Sequence, residues 1–283
     1  MSEPSKAVLI TGCSSGIGRA SALRLSRSGW TVYATARRPE TIEDLKRAGC
    51  HTLALDVTDE QSMQAVVAEI ERAHGAVGVL INNAGYSQSG AVETVPLEAV
   101  RRQFETNVFG LVRLTQLVLP KMRDQRWGKI VNLGSMGGLL TFPGGGYYHA
   151  TKHALEAISD ALRFELRGFG IDVILLEPGL ITTEFGDTAT ASIGEAPSAN
   201  DDPYASFNAT VGAVTKGAYD SPMRILGAGP ERVAKVIERA IRRSRPPARI
   251  TITPSAKLTI ATRRLVSDRM WDAAMRRQFP QPR

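Results

Sequence analysis

Along the chain, short runs of apolar, mostly β-branched residues alternate with longer stretches in which apolar side chains return every three or four positions. The short runs predict strands at 7–11, 31–35, 51–55, 79–82, 129–133, 172–176 and 249–253, and the longer ones predict helices near 17–28, 41–48, 59–74, 97–124, 148–168 and 230–244. This alternation is the pattern of βαβ units, whose parallel strands are covered on both faces and therefore lack polar positions. No repeat or low-complexity linker divides the series. The expected architecture is a single doubly wound α/β domain over residues 1–283, a parallel sheet with helices on both faces.

Two stretches break the alternation. Residues 184–228 are rich in Gly, Ala, Ser, Thr, Asp and Pro, which predicts a long irregular segment after the sixth strand, beside the ligand, acting as a substrate lid. Residues 255–283 form a basic C-terminal extension. In it Leu258, Ala261, Leu265, Met270, Trp271, Ala274 and Met275 recur at helical spacing with arginines between them. That amphipathic pattern predicts helix packed on the domain or on a partner subunit.

Charge sharpens the picture of the C-terminal part. The formal charge is +7, but 15 Lys/Arg stand against 4 Asp/Glu from Arg224 to Arg283, so residues 1–223 are net acidic. Such a segment suits an anionic partner, although arginines on the wet faces of amphipathic helices explain it more simply. No run reaches the roughly 18 apolar residues of a membrane span, and the opening MSEPSKAVLITG lacks the zones of a secretory signal. Cys13 and Cys50 have no metal-ligand spacing and read as packing residues of a reducing compartment, so a cytoplasmic protein is expected.

The first chemical signal follows the first strand. Gly12, Ser14, Ser15, Gly16, Ile17 and Gly18 form a T-G-x-x-x-G-x-G turn that opens a helix. Glycines permit a tight turn and close backbone approach, and the helix start offers free N–H groups and a positive dipole end to a pyrophosphate. At the end of the second strand an acidic residue would hold the ribose hydroxyls of NAD(H). The sequence has Ala36 there, followed by Arg37 and Arg38, which favours NADP(H) through guanidinium contacts with the 2′-phosphate.

The second signal is Tyr148 with Lys152, four residues apart and hence on one helix face. Of the six tyrosines, Tyr148 alone has a lysine at that offset. A phenol with a reference pKa of about 10 is a poor base near neutrality, and a nearby ammonium stabilises its phenolate. In carbonyl reduction the Tyr148 hydroxyl would protonate oxygen as hydride reaches carbon, and alcohol oxidation would reverse both transfers.

Taken with Leu55-Asp56-Val57, Asn82-Asn83-Ala84-Gly85, Asn107, Ser135 and Pro178-Gly179-Leu180-Ile181-Thr182-Thr183, these motifs make residues 7 to about 185 resemble the short-chain dehydrogenase/reductase family. The resemblance implies a Rossmann-type fold and a homodimer or homotetramer. It implies that Ser135 bonds the substrate oxygen, that Tyr148 transfers the proton, and that Lys152 also bonds the nicotinamide ribose. Asn107 would hold a helix bend and a water leading to Lys152. Asp56 and Val57 would edge the adenine, Asn83, Ala84 and Gly85 would line the cofactor through backbone, Pro178 and Gly179 would also bind the cofactor, and Ile181 and Thr183 would approach the carboxamide. NADP(H)-preferring relatives often carry a basic residue before the second glycine of the turn; Ser15 stands there, which leaves Arg37, Arg38 and Ser14 to hold the phosphate.

A metal site at His149 and His153 is a rival for the Tyr148 region, but these lie one position, about 100°, around the helix and have no third ligand in recognisable spacing, so no metal is expected. Residues 136–143 are largely apolar and would form part of the substrate wall. VYATARRPE and ATKHALEAISDALRFEL are similar to the hydroxysteroid and retinol dehydrogenase branch, which implies a steroid-, retinoid- or lipid-like carbonyl or alcohol. The expected partner is thus a small molecule, with no nucleic acid and no integral membrane span. The alternative is a catalytically idle NADP(H)-sensing protein whose basic tail engages an anionic partner.

Overall fold

Seven parallel strands form one sheet in the order β3-β2-β1-β4-β5-β6-β7: β1 Val8–Ile10, β2 Val32–Ala36, β3 His51–Ala54, β4 Val79–Asn82, β5 Gly128–Leu133, β6 Ile171–Glu177 and β7 Arg249–Thr251. The computed structural model describes residues 3–193, 202–220 and 226–282. Its helices are α1 Gly16–Arg27, α2 Glu43–Arg47, α3 Glu60–His74, α4 Leu97–Phe104, α5 Gly110–Asp124, α6 Gly146–Leu166, α7 Phe185–Ala191, α8 Ala205–Asp220, α9 Pro230–Ile241, α10 Pro254–Leu265 and α11 Asp268–Met275. No described helix is long and apolar enough to cross a membrane.

The two-residue period of a strand divides the apolar core between the sheet's faces. Val8 and Ile10 join Ala22 and Leu25 of α1 and Val233 and Ile237 of α9. Between them Leu9 points the other way, toward Met63, Val66 and Val67 of α3 and Leu114 and Val118 of α5. Fully burying each such side chain stabilises the fold by about 1.5–3 kcal/mol. Cys13 and Cys50 belong to the first cluster, and burial raises the Cys13 thiol to about 12, so neither is a reactive group.

All seven strands fall where the apolar runs place them, while three helical expectations change. The predicted helix over 97–124 is broken by a π-helical turn, Glu105–Phe109, that separates α4 from α5. The 41–48 helix divides into a 3₁₀ turn, Pro39–Ile42, and the short α2. The segment 184–228 is not wholly irregular: α7 and α8 occupy much of it, and residues 194–201 and 221–225 lie outside the described residues. Its low hydrophobic periodicity hid these helices because they pack locally on the body. Gln88 Nε2 donates to Ser192 O at 2.5 Å, and the Asn208 amide oxygen accepts from Ala91 N at 2.9 Å.

The C-terminal extension is helical, as its pattern predicts, and docks on the domain. Ala256 and Ile260 of α10 pack with Leu140, beside Met136, Leu139, Phe142 and Trp271, and Trp271 Nε1 donates to Thr141 O at 3.2 Å. β7 is held by Arg249, which reaches Glu156, Asp160 and Glu177 at 3.0, 2.6 and 3.5 Å.

Candidate active site

The chain runs from β1 outward through β2 to β3, then returns to place β4 on the other side of β1. The connections leaving β1 and β4 therefore diverge, and a crevice opens at the C-terminal ends of the strands, where ligands of doubly wound sheets bind. A cavity of about 990 Å³ lies there. Its walls come from the ends of six strands: Gly12 after β1, Ala36 and Arg37 at β2, Asp56 after β3, Asn83 after β4, Ser135 after β5 and Pro178 after β6.

The glycine turn is shaped by close approaches. Gly12 and Gly16 have φ of +71° and +54°, a left-handed region costly for other residues. At Gly18 the reason is space, since an added Cβ would stand 2.3 Å from Gly12 O and 2.5 Å from the Asn83 amide nitrogen. That amide fixes the turn by donating to Thr11 O at 2.8 Å and Gly12 O at 2.9 Å. Ser15 caps α1 without a side-chain hydrogen bond, and no acidic residue lies in the first turn. Ser14, Ser15, Gly16 and Ile17 consequently border the cavity at a helix start that suits a pyrophosphate. Gly18 packs behind them.

At the end of β2 the structure separates two residues that the sequence presents together. Arg37 lines the cavity and is exposed, with no carboxylate partner among the described residues. Arg38 does not line it: this residue starts the 3₁₀ turn, and its carbonyl accepts from Thr41 Oγ1 at 2.6 Å. Asp56, Val57, Asn83, Ala84 and Gly85 are all on the wall. The Asp56 carboxylate accepts from Thr58 N and Oγ1 at 2.9 and 2.7 Å, while Asp59 caps α3.

Ser135, Tyr148 and Lys152 face the same cavity. Ser135 also caps the 3₁₀ turn Met136–Gly138, its hydroxyl accepting from Gly137 N at 3.0 Å, so the capping role and the wall position coincide. The Lys152 ammonium lies 5.7 Å from the Tyr148 ring centroid and donates to Leu133 O at 2.6 Å. Burial lowers its pKa to about 8, because the charged form is deprived of water. Asn107 does not reach the cavity. Sitting in the π turn, it accepts from Tyr86 N at 3.1 Å and donates to Tyr86 O at 2.9 Å and Thr151 Oγ1 at 3.2 Å. The side chain thereby ties the loop after β4 to the helix that carries Tyr148 and Lys152. Pro178, Gly179, Ile181 and Thr183 line the far end, and Thr183 approaches Gly16 across the opening.

Phe185, Tyr86 and His149 also line the cavity, beyond the positions that the sequence motifs assign to it. Phe185, first residue of α7, stacks obliquely on Tyr148 with ring centroids 5.5 Å apart. Tyr86 follows the Asn-Asn-Ala-Gly motif and lines the cavity. His149 is engaged otherwise than as a ligand: Nδ1 is 3.0 Å from Gly137 O, and Nε2 accepts from Phe142 N at 3.2 Å. Burial lowers its pKa to about 4, so the ring is neutral and bridges both ends of the 137–142 wall. His153 Nδ1 lies 2.9 Å from His149 O, and no three potential metal ligands gather among the described residues. The available signal is a histidine beside Tyr148 at the start of α6, following the glycine-rich stretch 144–146.

The sequence model of the short chain dehydrogenase family matches residues 6–193. The chain belongs to this family. Along its length it is 35% identical to an uncharacterized oxidoreductase, YusZ, of Bacillus subtilis (strain 168), over 97% of this chain and 98% of that protein. It is 36% identical to a 3-ketodihydrosphingosine reductase of Bacteroides thetaiotaomicron, over 95% and 96% of the two chains. An NADPH-dependent 3-dehydrocapnine reductase of Ornithobacterium rhinotracheale is also 36% identical, over 93% and 94%. Among solved structures, a short-chain dehydrogenase from Streptomyces avermitilis superimposes with TM-score 0.75 at 35% identity, covering 92% of each chain. A family member from Burkholderia phymatum in complex with NAD gives TM-score 0.78 at 28% identity, covering 94% of this chain and 95% of that one. The protein is an oxidoreductase of the short-chain dehydrogenase type, built on the Rossmann-like sheet.

Proposed function

We propose that this short-chain dehydrogenase uses NADP(H) to interconvert a carbonyl and an alcohol on a hydrophobic substrate, with Tyr148 as the acid/base. The observation that carries the reading is the buried Lys152 ammonium beside the Tyr148 ring, both on the wall of the strand-end cavity. The wall fits a dinucleotide on its own chemistry: glycines that admit backbone contact, a bare helix start, and Ala36 where a carboxylate would repel a 2′-phosphate, with Arg37 beside it. When bound, the nicotinamide supplies or accepts the hydride. The NADPH named for the dehydrocapnine reductase agrees with this choice of cofactor.

Each protein group then has a defined task. The Ser135 hydroxyl, oriented by its hydrogen bond with Gly137 N, is placed to hold the substrate oxygen. The Tyr148 hydroxyl releases its proton to that oxygen in reduction and regains one in oxidation. Lys152 stabilises the phenolate and remains mostly protonated at neutral pH with a pKa of about 8. Asn107 positions these groups through Tyr86 and Thr151. Met136, Phe142, Leu180 and Phe185 give the substrate end its apolar walls, suited to a steroid-, retinoid- or lipid-like molecule. Of these classes the lipid-like one agrees with the name of the 3-ketodihydrosphingosine reductase.

The test is oxidation of NADPH with a panel of hydrophobic ketones, followed by Tyr148→Phe. General acid–base catalysis is worth about 10²–10⁴-fold, so the variant should lose at least about 100-fold in kcat with NADPH affinity retained. Full turnover by Tyr148→Phe would refute the role. NADPH binding without conversion of any substrate in the panel would favour the cofactor-sensing alternative.

A further inference from the structure

A second cavity, of about 1050 Å³, lies at the N-terminal end of the sheet, away from the cofactor crevice. It is lined by the starts of β5 and β6, the C-terminal ends of α1 and α9, and the turn after α6. Seven cationic side chains surround it, Lys6, Lys129, Arg163, Arg167, Arg242, Arg243 and Arg245, against one carboxylate, Asp172. Helix C-termini explain some of them: Arg242 donates to Ser28 O at 3.0 Å, and Lys129 to Arg243 O at 2.9 Å. Asp172 is occupied by Lys129 at 2.7 Å, Arg163 is paired with Asp160 and Arg242 with Glu238. Arg167, Arg243 and Arg245 have no carboxylate partner among the described residues, although all three are exposed and line one concavity.

Part of the excess positive charge of the C-terminal sequence, carried by Arg242, Arg243 and Arg245, thus lines this cleft. Arg243 and Arg245, on the turn after α9, converge with Arg167, from a turn more than seventy residues earlier, and with Lys129 on β5. We propose that this cleft binds the polyphosphate group of a small anionic ligand. A single surface ion pair in water contributes little, so one phosphate would hold weakly. Consecutive phosphates can engage several guanidinium groups at once, and Arg presents the paired donors that phosphate oxygens accept. A concave wall also favours a compact polyanion over a flat anionic surface. β5 runs from this cleft to Ser135, a strand of six residues spanning roughly 20 Å, so both cavities can be filled together.

Calorimetric titration with sodium tripolyphosphate at constant ionic strength tests the inference on the wild type, on R167A/R243A/R245A and on R37A. Saturable binding is expected in the wild type and in R37A, weakened at least tenfold in the triple variant, whose three substituted side chains are all exposed and whose thermal denaturation should match the wild type. Competition by ATP would identify a nucleotide as the source of the phosphates; tripolyphosphate binding without such competition would identify free polyphosphate. No saturable heat, equal binding by the triple variant, or loss of binding in R37A would overturn the proposal. So would attachment to phosphatidylserine vesicles that tripolyphosphate fails to displace, which would make the cleft part of a membrane-facing surface.

Discussion

Gly18→Ala separates two accounts of the glycine turn, conformational freedom and physical space. Gly18 lies within α1, and its φ is not among the positive values that favour glycine. On propensity alone, alanine in a helix is worth about 1 kcal/mol more than glycine. The new methyl, however, would stand 2.3 Å from Gly12 O and 2.5 Å from Asn83 Nδ2. Carbon normally keeps roughly 3.5 Å from its neighbours, so the turn or the helix must yield by about 1 Å. What must move is backbone held by two hydrogen bonds from Asn83, at 2.8 and 2.9 Å. Weakening both costs about 1–3 kcal/mol, and overpacking costs a similar amount. After the propensity gain, a net loss of about 2 kcal/mol is expected, lowering Tm by about 4–8 °C. NADPH affinity should fall as well, because the displaced turn is the proposed pyrophosphate seat. Gly217→Ala supplies the control: beyond its chain neighbours and the nearby backbone of α8 itself, nothing described lies within 4 Å of the added Cβ, so the same exchange should stabilise by about 0.5–1 kcal/mol. Thermal denaturation and quenching of tryptophan fluorescence by NADPH measure both quantities. A Gly18→Ala protein as stable as the wild type, with unchanged NADPH affinity, would refute the spatial account.

Arg37→Ala should raise KM for NADPH about tenfold, the loss of one charge-assisted contact, and leave KM for NADH nearly unchanged; an equal effect on both cofactors would remove Arg37 from the phosphate site. Lys152 is held near a pKa of about 8, so kcat for reduction should fall as pH rises through about 8 and its ammonium is lost. A rate constant that is flat from neutrality to beyond that value would contradict its role. His149→Phe should raise KM for a hydrophobic ketone about tenfold, with a smaller change in kcat, as the 137–142 wall loses its two bonds. Because burial holds the His149 pKa at about 4 against an ordinary 6.5, the unfolded chain binds the proton first as pH falls between them. Stability contributed by the neutral ring is therefore complete above about 6.5 and lost toward about 4, and pH-dependent denaturation of His149→Phe should show a shallower slope in that window.

What could be read in the chain, and what could not, follows from how local each cause is. β1, β4 and β5 are buried on both faces, so their apolar runs mark them almost to the residue. The Tyr148–Lys152 pair is set by one helical turn, and the glycine turn after β1 by glycines within seven residues, so both are local as well. Asn107 is different: the motif names it, but its partners, Tyr86 and Thr151, lie 21 and 44 residues away. The π turn around it cannot be inferred from periodicity, because the apolar faces of α4 and α5 continue on either side. Arg37 and Arg38 are neighbours in sequence, and only the start of a 3₁₀ turn decides that one faces the cavity and the other leaves it. The same limit applied to the C-terminal charge. An excess of arginines over sixty residues is compatible with a solvated helix face until the fold shows which ones meet. Here the meeting involves Lys6, Lys129, Arg163 and Arg167 from outside that segment, so the basic cleft has no signature in any single stretch of sequence. Sites made of one turn and one helix are legible in advance; sites made by the convergence of chain ends, strand starts and helix C-termini exist only once the sheet is assembled.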